Sequence, residues 1–300
     1  MSEIFIVMKW PLIACLLLPG MLVYLGLHIV KREIIFVDLA LAQVAALGTC
    51  LGLLLEHKVN DWQTYLFSLG FTFVGAVIFT FTRNRRNHQV PQEAIIGIVY
   101  VVAAAASILL LSKGNAEANE EIKRTLIGDV LTVNPIQIWK TFALYTVIGV
   151  IHFVFRKRFL AISFEPERAL AEGLPVLWWD FLFYILFGFV VSSFVQIGGV
   201  LLIFSYLIVP AVCASFLARQ LRTLLLIGWL TATVASIVGL YCSYEYDLPT
   251  GAAIICALGL ALILAASCAT LKRRFQKPEL GGAFAGKDHS KNPHSHHVSP

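Results

Sequence analysis

Charge is what this 300-residue chain has least of. Its 23 Lys and Arg and 18 Asp and Glu make up only 14% of the residues, against about 25% in an ordinary soluble domain. Set beside 58% hydrophobic residues, that shortage excludes a soluble globular enzyme, because one or two water-facing domains cannot hide so much apolar surface. It excludes disorder as well, except at the tail. Paired cysteine spacings are also missing. Cys15, Cys50, Cys213, Cys242, Cys256 and Cys268 all lie in or beside apolar runs, so they read as small membrane-embedded hydrophobes and not as disulfides or a zinc cluster. There is no His-Glu-x-x-His and no Gly-x-Ser-x-Gly, so the common metalloprotease and lipase-type hydrolases lack their starting residues. No repeat of fixed period is evident.

What the chain has is length of apolar run. A helix crosses a bilayer with about 20 mostly apolar residues, and the composition supplies roughly eight or nine such crossings. Candidate spans fall near 7–30, 34–55, 64–82, 93–112, 136–155, 176–196, 198–218, 222–243 and 250–270. The first is followed by further spans, so it reads as a helix and not as a cleaved signal peptide. The fold class is therefore all-α, a polytopic transmembrane bundle of eight or nine spans. The weak point is 196–200, where Gln196-Ile-Gly-Gly leaves almost no loop.

The net charge of +5 is no nucleic-acid signal, because the basic residues cluster between spans: Lys31-Arg32, Arg83/Arg85/Arg86, Arg156-Lys157-Arg158, Arg219/Arg222 and Lys272-Arg273-Arg274. That is the positive-inside pattern of cytoplasmic loops. It puts the N-terminus outside, the C-terminus inside, and the acidic Glu56, Asp61, Glu117, Glu120, Glu121, Glu245 and Asp247 outside.

Two polar pieces stand apart. The inner loop 156–175 has a basic start, Pro166 where a short helix begins, an Ala/Leu/Glu-rich turn or two and a Gly173-Leu-Pro175 stop. It is either a short cytoplasmic helix between two spans or an ordinary solvated connector. The tail 276–300 is Gly/Pro/polar and expected to be disordered. Its His289, His294, His296 and His297 are weak transition-metal ligands or simply a tolerated polar tail. Gly281–Lys287 spells the glycines and lysine of a phosphate-binding loop. Asp288 replaces the Ser or Thr, and no strand precedes it, so the match is accidental and the chain has no ATP site of its own.

The remaining signal is polar residues inside apolar segments. Asp38 sits early in the second span, followed by Gln43 and by Gly48-x-x-x-Gly52, a small-residue face suited to close helix packing. A charge in hydrocarbon costs several kcal/mol, so it faces a cavity or a partner and marks a substrate path. The alternative for Asp38 is pairing with Lys31 or Arg32 near the inner surface; for Gln43 it is an interhelical hydrogen bond. At 100° per residue the two are about 140° apart on a straight helix. Glu93 and Asp180 lie near inner interfaces and are expected to pair with loop arginines. His28 and His152 read as structural. Thr125–Asn134 is too short to cross and could form an outer half-helix containing Asp129.

Taken in order, the residues resemble the membrane permeases of bacterial metal-ion (zinc/manganese/iron) ABC importers. The resemblance runs over about 10–270: LGLHIVKREIIFVDLALAQVAALG (25–48), QEAIIGIVYVVAAAASILLL (92–111), LIGDVLTVN (126–134), FLAISFEPERALAEGLP (159–175), VQIGGVLLIFSYLIVPAVCASFLA (195–218) and DLPTGAAIICALG (247–259). It implies a permease domain over 1–275 in the bacterial cytoplasmic (inner) membrane, with 276–300 as its cytoplasmic tail. It also implies a second permease copy, identical or different, cytosolic ABC ATPase subunits, and an extracytoplasmic metal-binding protein. The divalent metal is then a substrate, and no stably bound cofactor is expected.

Glu167, Ala169 and Gly173 fall at positions like those of the family's ATPase-coupling motif. Glu117, Glu120 and Glu121 could dock the binding protein. Such permeases commonly carry Asp-x-x-x-His in the second span; here Asp38 is present but position 42 is Ala, and Gln43 takes the His place when aligned from Gly48. Carboxylate plus amide oxygen is a harder set than carboxylate plus imidazole, which favours manganese or iron(II) over zinc. Two readings stay beside the leading one: a permease of the same architecture for a metal chelate, and an ion-coupled secondary carrier.

Overall fold

The computed structural model describes residues 2–55, 57, 61–83, 90–112 and 130–275. The tail with its four histidines, and Glu56, Glu117, Glu120, Glu121 and Asp129, lie outside the described residues. Among the described residues everything regular is helical. In chain order these are α1 (Ser2–Arg32), α2 (Val37–Leu54), α3 (Trp62–Arg83), α4 (Gln92–Leu111), a 3₁₀ turn (Val130–Thr132), α5 (Pro135–Val154), α6 (Arg156–Phe164), α7 (Pro166–Ala171), α8 (Val176–Leu217), α9 (Leu221–Tyr246) and α10 (Thr250–Phe275). Among the described residues nine stretches are long and apolar enough to cross a membrane, and their ends fall within three residues of those expected. Hydrocarbon gives backbone amides no other partner, so an apolar run of this length closes its own hydrogen bonds as a helix.

The uncertain stretch near 196–200 is resolved by Gly199. α8 extends from 176 to 217 as two arms, because Gly199 has φ 72° and ψ 165° and the helix breaks there. Both arms pack on the inner half of α1. The Phe183 ring lies 5.8 Å from that of His28, and Gly26 abuts the Leu207 carbonyl. The chain therefore rises along the first arm, reverses at a residue without Cβ, and descends along the second.

The helix ends follow local chemistry. Asn134 and Gln137 form a capping box before α5, with Gln137 N donating to Asn134 Oδ1 at 2.8 Å and Asn134 N donating to Gln137 Oε1 at 3.1 Å. α1 ends with Glu33 in the left-handed region (φ 57°), and Ile34 N donates back to Ile29 O at 3.3 Å. Pro166 opens α7 as expected. The stretch before it, however, is a second short helix, where a single one was anticipated. The reason is Phe159 and Ile162, three residues apart on one face and both fully buried against the bundle.

α2 is the innermost helix, packed against α3, α4 and α8, with 13 of its 18 residues buried. Its Gly48/Gly52 face meets α3 as the small residues predict: a Cβ on Gly48 would sit 2.5 Å from Phe67 O, and one on Gly52 3.0 Å from Thr64. Asp38 and Gln43 are both buried despite pointing about 140° apart, because α2 packs over most of its circumference and leaves a stripe at Leu39, Leu47, Leu51 and Leu54 less covered. Gly48→Ala is expected to destabilise the bundle by about 1–3 kcal/mol through overpacking. Gly70→Ala, where a Cβ meets nothing within 4 Å, is the control, and thermal unfolding in detergent should separate the two.

Candidate functional site

The first turn of α2 carries the site's main feature. Asp38 is 1% exposed, and neither carboxylate oxygen makes a well-formed hydrogen bond. It faces the amides of its own turn at Asp38 and Leu39, and its charged neighbour is another acid, Glu93. Glu93 was expected to meet an arginine. Instead its Oε1 accepts from Ile35 N at 2.7 Å, pinning the α1–α2 turn to α4, while its Oε2 is buried without a partner. Gln43, 6% exposed, lies more than a turn further along α2. Among the described residues no three His, Cys, Asp or Glu side chains converge as metal ligands. What α2 offers a cation is sparse oxygen ligation at its inner end.

The arginine that could have neutralised Asp38 is committed elsewhere. Arg32 Nη1 donates to Asp180 Oδ1 at 2.9 Å, and Arg83 Nη1 donates to the same oxygen. Asp180 is thus paired as the sequence led one to expect, and Asp38 is not. Beside this ion pair lie His28, whose Nδ1 is 2.8 Å from Ser163 Oγ, and His152, whose Nδ1 is 3.3 Å from the Tyr24 hydroxyl. His152 stacks on Phe159 with centroids 4.4 Å apart. Both histidines are built into this packing. The partners in the Arg32–Asp180–Ser163 group come from distant parts of the chain, so no local motif marks them.

The inner loop presents a different surface. Of the three residues expected to couple, Glu167 is exposed, Ala169 is fully buried, and Gly173 is exposed with φ 71°. Gly173 ends α7: its left-handed backbone lets Leu174 N donate to Ala169 O at 3.1 Å. Arg168 bridges Glu172 (2.8 Å) and Glu165 (3.0 Å), which raise its pKa by hydrogen bonding. These pairs are exposed and add little stability. Leu170 is 65% exposed, an apolar side chain beside the charged Glu167, Arg168 and Glu172. At the opposite end, a cleft of about 780 Å³ opens between α3, α5 and the first arm of α8, lined by Asp61, Tyr65, Asn134, Gln137, Lys140 and Ser193 among others.

Among the described residues, nine membrane-length helical stretches, with α2 largely buried between α3, α4 and α8, define a multi-pass membrane protein. Over residues 5–269 the chain matches the ABC 3 transport family, and it belongs to that family. The manganese transport system membrane protein MntC of Listeria innocua is 28% identical over 208 residues, covering 67% of this chain and 73% of that protein. The manganese import system permease protein ScaB of Streptococcus gordonii is 27% identical over 230 residues, covering 74% and 82%. Among solved structures, PsaBC from Streptococcus pneumoniae in complex with Fab superposes with a TM-score of 0.74 at 22% identity, over 88% of this chain and 94% of that one.

The two buried aspartates should respond oppositely to truncation. Asp180→Ala strands the buried Arg32 guanidinium and is expected to cost about 3–5 kcal/mol. Asp38→Ala removes a carboxylate that makes no well-formed bond and is expected to leave thermal stability unchanged or raised. Unfolding of the two variants, side by side, checks both.

Proposed function

We propose that this chain is the membrane permease of an ATP-driven importer for a divalent transition metal, manganese or iron(II), in a bacterial cytoplasmic membrane. Two permeases pair, each resting on a cytosolic ATPase through α6–α7, and an extracytoplasmic binding protein delivers the ion to the outer face. ATP binding closes the ATPase subunits, tilts the permeases and opens the path inward. The observation that carries this reading is Asp38, a buried carboxylate left without a cation in a chain of the ABC 3 transport family. A carboxyl group buried away from water carries a charge only when a cation accompanies it, and a passing metal ion would be such a cation.

Two further features support it. The ligands near Asp38 are oxygens, from Glu93 and, along α2, Gln43, which suits manganese and iron(II) better than zinc. Sparse ligation also suits conduction, since a complete cage would hold the ion. On the inner side, exposed Leu170 and Glu167 with buried Ala169 give α7 one face for the bundle and one for a partner. The relatives' names, manganese transport and import permeases, point the same way.

Reconstitution with the cognate ATPase and binding protein is the test. ATP-dependent uptake of manganese and iron(II) is expected to exceed that of zinc. Asp38→Ala is expected to lower uptake about tenfold or more, the equivalent of at least ~1.4 kcal/mol. Uptake that persists without the ATPase would support a secondary carrier. Full uptake by Asp38→Ala would favour a chelate as cargo.

A further inference from the structure

Ser163 and Asp180 bracket the exposed inner loop, one on α6 before it and one on α8 after it. Both are bound by the same side chain. Arg32 Nε donates to Ser163 Oγ at 2.8 Å, and Arg32 Nη1 donates to Asp180 Oδ1 at 2.9 Å. The Arg32 side chain has 0% exposure, and its guanidinium lies over the Phe183 ring, 3.9 Å from the centroid. Arg83, the last residue of α3, holds the same carboxylate. The Arg32 guanidinium therefore joins the end of α1 to the end of α6 and the start of α8, and Arg83 ties the end of α3 to the same carboxylate.

That geometry has a mechanical consequence. A loop joined to a bundle only by its two chain ends can hinge and absorb a displacement. Here both ends are cross-tied through a buried guanidinium, so the loop and the inner ends of α1, α3 and α8 move as one body. We propose that Arg32 is the positioning residue that transmits movement of α6–α7 into the membrane helices, through Ser163 on one side and Asp180 on the other. This rests on the reading of α6–α7 as the ATPase-docking element. Arg32 touches no substrate; it acts through the loop.

Lysine cannot replace it. Two hydrogen bonds from adjacent nitrogens of one rigid plane need the guanidinium fork, and an ammonium is a single point charge. Directly after Arg32 the chain turns through Glu33 in the left-handed region into α2. A displacement of Arg32 is thus delivered to the first turn of α2, where Asp38 sits.

The experiment uses the full transporter in proteoliposomes, with manganese as the probe, recording ATP hydrolysis and manganese uptake together. Ser163→Ala cuts the α6 tie and leaves the Arg32–Asp180 pair; Arg32→Lys keeps the charge and loses the fork. Each is expected to retain ATP hydrolysis while manganese carried per ATP falls by about 2- to 30-fold. Ser163→Thr, which keeps the hydroxyl, should restore the ratio.

A merely structural role would lower uptake and hydrolysis in parallel at an unchanged ratio, and that result would overturn the proposal. An unchanged ratio with full activity in both variants would overturn it too. Should one variant fail to fold, the other carries the test. Wild-type protein without ATP-dependent uptake would instead overturn the functional reading, and this proposal with it.

Discussion

A guanidinium removed entirely from water must be paired, or it costs the bundle several kcal/mol. Arg32 is such a group, and the inner half of the protein is arranged around its needs. Asp180 and Ser163 come to it from α8 and α6, Phe183 stacks beneath it, and Arg83 arrives from α3 to share the carboxylate. In lipid the helices gain little from burying apolar surface against one another, so directional contacts and close packing decide how they meet. The ion-paired group sets the inner ends. The glycine faces set the rest: Gly48 and Gly52 against α3, and Gly26 against the second arm of α8.

That arrangement separates two residues of identical chemistry. Asp180 and Asp38 are both buried and both near the inner ends of their helices. Asp180 receives two arginines and becomes structure. Asp38 receives none, and the charged group acting on it is the acid Glu93, so its oxygens stay without partners on α2. A carboxyl group buried without a partner on a largely buried helix is the ground for placing the proposed transport path on α2. The loop at 156–175 shows the same division of labour. Ala169 and Phe159 secure α7 and α6 to the bundle, leaving Glu167 and Leu170 in the open.

How far these features could be read in advance follows the range of the physics behind them. The spans were legible because each depends on about 20 neighbouring residues. Pro166 and Gly173 were legible as the start and stop of α7, since proline at a helix's first position and a left-handed glycine after its end are local requirements. The helix at 156–164 was not. Its charged opening resembles a loop, and what makes it helical is Phe159 and Ile162 finding a core assembled from other segments. The arginine expected for Glu93 was absent for the same reason: the backbone amide of Ile35 reached it first. Asp38 and Gln43 are both buried although about 140° apart, because packing covers most of α2, an outcome that helical spacing alone does not show.

The 41 charges of this chain, so few that they ruled out a soluble protein, divide along that line. From the sequence alone came the all-helical membrane architecture, eight or nine spans with their ends placed to within three residues, and the short helix opened by Pro166 between two of them. Hydrocarbon forces the backbone to satisfy itself locally, and hydropathy records the result residue by residue. Only the tertiary structure decided which carboxylate is neutralised. Arg32 is six residues from Asp38 and 148 from Asp180, yet it is bonded to the distant one. The helix end at Glu33 and the packing of α8 against α1 aim the guanidinium there, and a choice between partners made by helix packing leaves no mark on neighbouring residues.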